Sequence, residues 1–142
     1  MMKIRIGRFI SILYRKNQIY LSSVLKPLGI CSSECPILLI LYDDDHLTQE
    51  DLTSRLHFDK SAVARAISSL EAKGFVRKEK DPADQRCNRI SLTAKSLEAQ
   101  PRIMDALDQW NEILMSGMDK EERDAAYQIL LRMTDNIKRE MS

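Results

Sequence analysis

The chain has 142 residues, 44% of them apolar, enough for one compact domain with its own core and too few for two full domains joined by a linker. With 30% charged residues but only four Gly and four Pro, the composition excludes disordered, collagen-like and disulfide-stapled chains and favours a helix-rich soluble globule. The 22 Lys/Arg against 21 Asp/Glu leave a net charge of +1, which selects no partner by itself, so the placement of charge along the chain matters more than its sum.

That placement is uneven. Residues 1–30 hold six Lys/Arg and no acid, 31–59 one base and seven acids, 60–95 nine bases and four acids, and 96–142 six bases and ten acids. Ordinary solvated faces also produce such alternation. The longest apolar run, Pro36 to Tyr42, is far below the roughly 18 residues that would span a bilayer. Lys3, Arg5 and Arg8 interleave with apolar residues near the start, so the sequence reads as carrying neither a membrane helix nor a signal peptide. Three cysteines, an odd number without an export signal, point to thiols in a reducing cytoplasm.

Along the chain, Ile6, Phe9, Ile10, Leu13, Tyr20, Val24 and Leu28 recur at helical steps and predict a long amphipathic helix ending near Pro27-Leu28-Gly29. A second helix is expected from Ser32 or Ser33 to the turn at Asp43–His46, with Pro36 tolerated in its first turn. Thr48 with Asp51 predicts a capping-box start, and Leu47 with Leu52 a hydrophobic staple, for a short helix ending near Leu56. Asp59 can cap the next helix, whose buried face is Ala62, Val63, Ala66, Ile67 and Leu70, closed by Lys73-Gly74. Two short helices joined by a tight turn are the core of a helix-turn-helix.

The period then changes. Phe75–Lys80 and Asn88–Thr93 alternate as strands, separated by a charged loop at Asp81–Cys87, which makes a hairpin. From Ala94 the pattern is helical again, bent or restarted at Pro101, and runs to Gly117 through Ile103, Leu107, Trp110, Ile113 and Leu114. Asp119 with Glu122 can cap a last helix carrying Ala126, Ile129, Leu130, Met133 and Ile137. The fold class is therefore mainly α with a small β-hairpin wing.

In a helix-turn-helix the second helix enters the major groove and offers bases the side chains opposite its buried face. With Val63, Ile67 and Leu70 inward, Lys60, Ser61, Ala64, Arg65 and Ser68 face outward, small enough to let the backbone approach DNA. Arg65 can reach a guanine edge or a phosphate, and Lys60 a phosphate. A solvated helix face with two ordinary charges is the plainer reading of the helix alone. Arg86 at the wing tip has the length and delocalised charge for a narrow minor groove, and Arg77, Lys78, Lys80 and Arg89 add positive charge nearby. Asp84, two residues before, either pairs with Arg86 and orients it or merely caps a turn.

The run from Lys60 to Val76, followed by Asp84-Gln-Arg-Cys-Asn-Arg-Ile-Ser-Leu-Thr93, resembles the recognition helix and wing of the MarR family of transcriptional regulators. The likeness extends to the basic first helix, to Leu28-Gly29-Ile30 and to Met118–Arg123 before the last helix. It implies a single domain over 1–142, with 1–30 and 94–142 as a helical dimerisation region and 31–93 as the winged helix-turn-helix. It also implies a cytoplasmic homodimer that acts on double-stranded DNA at a palindromic operator, as a repressor released by a small-molecule or oxidant signal. The resemblance places Ser61, Ala64 and Arg65 on the reading face, and Asp84 and Arg86 on the wing. The chain departs from the family pattern at Gln85, where a second arginine is frequent, at Ala62 and Ala64, where Thr or Ser is common, and at Ser96, where Gly is usual.

Some members of the family sense oxidants through a cysteine. Cys87, flanked in sequence by Arg86 and Arg89, is the first candidate, ahead of Cys31 and Cys35, although small buried residues is the plainer reading of all three. His46 and His57 with the cysteines show no zinc spacing, so no metal or other cofactor is expected. No nucleophile–base set or phosphate loop points to an enzyme. The resemblance suggests a small aromatic or phenolic effector; Tyr14, Tyr20 and Trp110 fit such a cleft by size, but aromatics in amphipathic stripes are ordinarily core. The competing reading is a winged-helix module that docks protein instead of DNA, which would show an exposed apolar patch on its recognition face.

Overall fold

The computed structural model describes residues 2–141; Met1 and Ser142, the two ends of the expected domain, lie outside the described residues. Its elements are α1 (Gly7–Leu25), a 3-10 turn (Lys26–Leu28), α2 (Cys35–Asp43), β1 (Leu47–Thr48), α3 (Gln49–Leu56), α4 (Lys60–Ala72), β2 (Val76–Asp81), β3 (Asp84–Leu92), α5 (Ala94–Leu114) and α6 (Lys120–Glu140). This is the expected mainly helical chain with a small wing. Its internal contacts divide it into two units, 1–107 and 108–142.

The first unit is organised around side chains with almost no exposure. α2 supplies Cys35, Ile37, Leu38 and Leu41, α3 supplies Leu52, and α4 supplies Val63, Ile67 and Leu70. Full burial of each such Leu or Ile is worth about 1.5–3 kcal/mol relative to exposure, which makes this cluster the main source of stability. α1 contributes only Leu21 and Leu25 as buried residues. Tyr20, Val24 and Leu28 of the expected stripe pack at the edge of the core. Its first half, Ile6, Phe9, Ile10 and Leu13, is 43–61% exposed.

Local chemistry sets the helix boundaries. α2 starts at Cys35, later than expected, because a turn over 32–34 is closed by Cys35 N–H donating to the Cys31 carbonyl at 3.1 Å, which leaves Pro36 in the first helical turn. There its missing N–H removes no intrahelical bond. Thr48 caps α3 in a reciprocal box: Asp51 N–H donates to Thr48 Oγ1 at 3.1 Å and Thr48 N–H to Asp51 Oδ2 at 3.2 Å. Such a cap stabilises by about 0.5–2 kcal/mol relative to Ala. Leu47 and Leu52, at the staple positions, are both buried.

α4 begins on Asp59, whose Oδ1 accepts from Ala62 N–H at 2.8 Å. It ends in a paired-bond C-cap, in which Phe75 N–H donates to the Leu70 carbonyl at 2.9 Å and Gly74 N–H to Glu71 at 3.0 Å. Gly74 sits at φ +85°, a conformation that side-chain-bearing residues rarely adopt. α4 is thus fastened at both ends by its own sequence.

The wing differs from the expected hairpin in two respects. First, β3 begins at Asp84, so the loop expected at 81–87 shrinks to a turn at Pro82-Ala83 with Asp81 opposite Asp84. Lys80 pairs with Asn88, which leaves Gln85, Arg86 and Cys87 as a bulge beside the turn. Second, Leu47-Thr48 adds a third strand, giving the antiparallel order β1-β3-β2 with Leu47 opposite Ile90. A two-residue strand shows no periodicity, so the sequence offers no signal for it.

α5 is one helix with Pro101 inside it, and no restart occurs there. In the second unit, Asp119 and Glu122 form the expected capping box at the start of α6. The Arg123 guanidinium holds Glu112 at 2.8 and 3.2 Å and the Met118 carbonyl at 3.1 Å. No described residue of α6 is buried, and Tyr127, Ile129, Leu130, Leu131 and Ile137 are 43–64% exposed. Among the described residues no helix is long and apolar enough to cross a membrane.

Candidate nucleic-acid interface

With its inner face committed to Val63, Ala66, Ile67 and Leu70, α4 presents Lys60, Ser61, Arg65 and Ser68 to solvent, while Ala64 is half-buried. Neither Lys60 nor Arg65 takes part in an ion pair among the described residues. Both are long cations on a face otherwise made of small side chains, which is the chemistry that phosphate contact and guanine recognition require.

The wing places Arg86 outward, 90% exposed, and Asp84 grips it from two residues away. Arg86 Nε donates to Asp84 Oδ1 at 3.1 Å, Nη2 to Oδ2 at 3.3 Å, and the Arg86 backbone N–H to Oδ1 at 3.0 Å. The side-chain bonds from Arg86, followed by its backbone N–H, hold the Asp84 carboxyl below the usual carboxylate range. A bidentate pair of this kind fixes direction as well as charge.

Lys60 and Arg86 line one groove of about 430 Å³ together with Thr48, Gln49, Glu50, Thr53, Ser54, Cys87 and Asn88. The sequence reading missed the α3 and β1 contributions. Their signal was present, since 49 and 53, and 50 and 54, are one helical turn apart and all polar.

Two of the other wing cations, Arg77 and Arg89, are paired with acids of the wing. Arg77 lies 3.6 Å from Glu79, and Arg89 Nη2 lies 3.6 Å from Asp81 while Arg89 Nε is buried without a hydrogen-bond partner. Arg89 is therefore engaged within the wing, where its register partners are Thr48 and Glu79. The base of the wing is also tied to the chain before β1. Asp45 Oδ1 accepts from Leu92 N–H at 2.9 Å, and His46 Nδ1 meets Ser91 Oγ at 2.7 Å, with His46 held at φ +65°.

The electropositive setting expected for Cys87 is not found. Its thiol lies 3.7 Å from Asp84 Oδ2, and burial together with the charges of Asp84, Glu50 and Asp81 raises its pKa. Two neighbouring arginines in sequence do not make a cationic site when each is paired with an acid, Arg86 with Asp84 and Arg89 with Asp81. Cys35 is buried and its thiol is pushed up to about 11, whereas Cys31 is exposed. No cluster of three or more potential metal ligands occurs among the described residues.

Comparison with known proteins agrees with this geometry. The MarR family model matches residues 32–88. The uncharacterized HTH-type transcriptional regulator YdgJ of Bacillus subtilis is 30% identical over 109 residues, 77% of this chain and 66% of that protein. A MarR transcriptional regulator from Methanosarcina mazei Go1, known as a crystal structure, is 38% identical with a TM-score of 0.91, over 96% of this chain and 98% of that one. A MarR family regulator from Listeria monocytogenes, crystallised with a 26mer DNA, shares the fold at 21% identity and a TM-score of 0.91, over 99% of this chain and 92% of that one. A match to both the sequence and the whole fold of the Methanosarcina mazei regulator, together with the helix-turn-helix and wing described above, leaves one conclusion: the chain belongs to the MarR family of winged-helix transcriptional regulators.

Proposed function

We propose that the chain binds double-stranded DNA sequence-specifically at a palindromic operator, as a twofold homodimer. The observation that carries this reading is the convergence of the recognition helix and the wing on one groove, with Lys60 from α4 and Arg86 from β3 among its lining residues. In this reading Lys60, Ser61, Ala64, Arg65 and Ser68 meet the major groove, while Arg86, oriented by Asp84, enters the flanking minor groove. Arg89 acts at one remove by holding the wing, given its contact with Asp81. The exposed positions on this helix face are polar or cationic, which favours nucleic acid over a docked protein. The Listeria relative crystallised with DNA has the same fold.

The dimerisation region comprises 1–30 and 94–142, and the DNA-binding region 31–93. Support comes from the apolar side chains left exposed on α1 and α6, which a second copy related by twofold symmetry would cover. We assign the dimer the role of a cytoplasmic repressor released by a small-molecule or oxidant signal.

Selection from a random duplex pool tests the reading. The expected product is an inverted repeat whose half-site centres lie about one helical turn, roughly 34–36 Å, apart. A pool that stays random after repeated rounds overturns it.

A further inference from the structure

We propose that Glu34 is a positioning residue for the recognition helix, acting through Lys73 to fix the angle at which α4 meets DNA; the inference rests on the DNA-binding reading above. Glu34 is 1% exposed and stands immediately before α2. Lys73, the residue that ends α4, places its ammonium against both carboxylate oxygens, at 2.7 and 3.0 Å. Oε1 also accepts from Cys31 N–H at 2.7 Å. The Lys73 carbonyl is held in turn by Lys95 Nζ at 2.6 Å. Thus the C-terminal end of α4 is clamped to the start of α2.

An ion pair is an expensive way to hold two helices. Desolvation of a buried carboxylate offsets most of the Coulomb attraction, and well-packed apolar residues hold helices together at least as firmly. What the contacts supply is position: the carboxylate is itself held by the Cys31 N–H, so the Lys73 ammonium meets a fixed acceptor at hydrogen-bond distance, whereas apolar side chains slide over one another. A helix of 13 residues is about 20 Å long, so a shift of about 2 Å at its C-terminal end tilts it by about 6°. Base contacts made near the other end, from Ser61 to Arg65, require placement within about 0.5 Å, whereas phosphate attraction is far more forgiving. Loss of the clamp therefore reduces discrimination between sequences more than general affinity.

The double variant Glu34→Gln/Lys73→Met isolates this effect, because it removes one acid and one base and leaves net charge unchanged. Affinities for an operator enriched by the wild type and for a scrambled duplex of the same length are compared, with thermal melting as the check of folding. The double variant should lose operator affinity by roughly tenfold or more while scrambled-duplex affinity stays within about threefold. Lys73→Arg, which keeps the cation, should retain most of the preference. If the double variant does not fold, Glu34→Asp retains the charge but shortens the reach, and should itself lower the preference. A folded variant that discriminates like the wild type, or that loses both affinities equally, overturns the proposal alone. A wild type that selects no operator overturns the DNA-binding reading, and this inference falls with it.

Discussion

α4 and α6 are built on the same plan. Each starts on an aspartate whose side chain accepts from the third residue of the helix, and each carries apolar residues at helical spacing. In α4 that stripe is covered: Val63, Ile67 and Leu70 have no exposure. In α6 it is not, since Ile129 and Leu130 are 50 and 58% exposed. Helical periodicity in a sequence establishes that a face is available for burial, but says nothing about which molecule buries it. The covered helix belongs to the folded unit of the single chain; the uncovered one fits the proposed contact between two chains.

Substitution in the two stripes should separate these roles. Leu70→Ala removes a fully buried side chain and should cost about 2–5 kcal/mol of unfolding free energy, measured by denaturant titration. Leu130→Ala should instead raise the dimer dissociation constant by roughly tenfold or more, which dilution-dependent sedimentation would detect. If Leu130→Ala leaves association unchanged, the α6 stripe has some other cover.

On the DNA side, Arg65→Ala should weaken operator binding by about 1–3 kcal/mol per subunit and flatten preference at one base position of each half-site. A uniform loss over all sequences would instead make Arg65 a phosphate contact. The wing should show a smaller, flank-dependent effect. Arg86→Lys keeps the charge yet should lose affinity several-fold, more on A·T-rich than on G·C-rich flanks. Asp84→Ala should do part of the same damage, although removal of an acid would strengthen binding if attraction were diffuse. Tighter binding by Asp84→Ala, with Arg86→Lys neutral on both flanks, would make the wing a simple positive arm.

The smallest effect concerns pH. Burial raises the Glu34 pKa, but the hydrogen bonds from Lys73, Ser69 and Cys31 N–H and the Lys73 charge outweigh it, so the folded value lies below the ordinary 4.5. A carboxyl lowered on folding contributes stability that is complete above its unfolded pKa and lost as pH falls through the folded one. Melting temperature should therefore fall more steeply below about pH 4.5 in the wild type than in Glu34→Gln.

Features set by neighbours in sequence were legible in advance. Thr48 with Asp51, Asp59 with Ala62, Asp119 with Glu122 and the left-handed Gly74 each join residues a few positions apart, and the Asp84–Arg86 contact spans only two. Features that need the folded chain were not. Glu34 meets Lys73 across 39 positions and His46 meets Ser91 across 45, and neither pair leaves a pattern in the sequence. The environment of Cys87 belongs to the same class, because the acids that raise its pKa include Glu50 from α3. In α1 the sequence pattern identified an apolar stripe within the expected dimerisation region, and the first half of that stripe is exposed in the single chain, as is the stripe of α6.

The mass of the free protein in solution at micromolar concentration, obtained by sedimentation equilibrium, bears most directly on that difference. Two chains joined through 6–25 and 103–141, with an interface beyond about 2,000 Å² in total, should sediment as a species of twice the 16.4 kDa chain mass. A folded, stable species of 16.4 kDa would contradict the dimer.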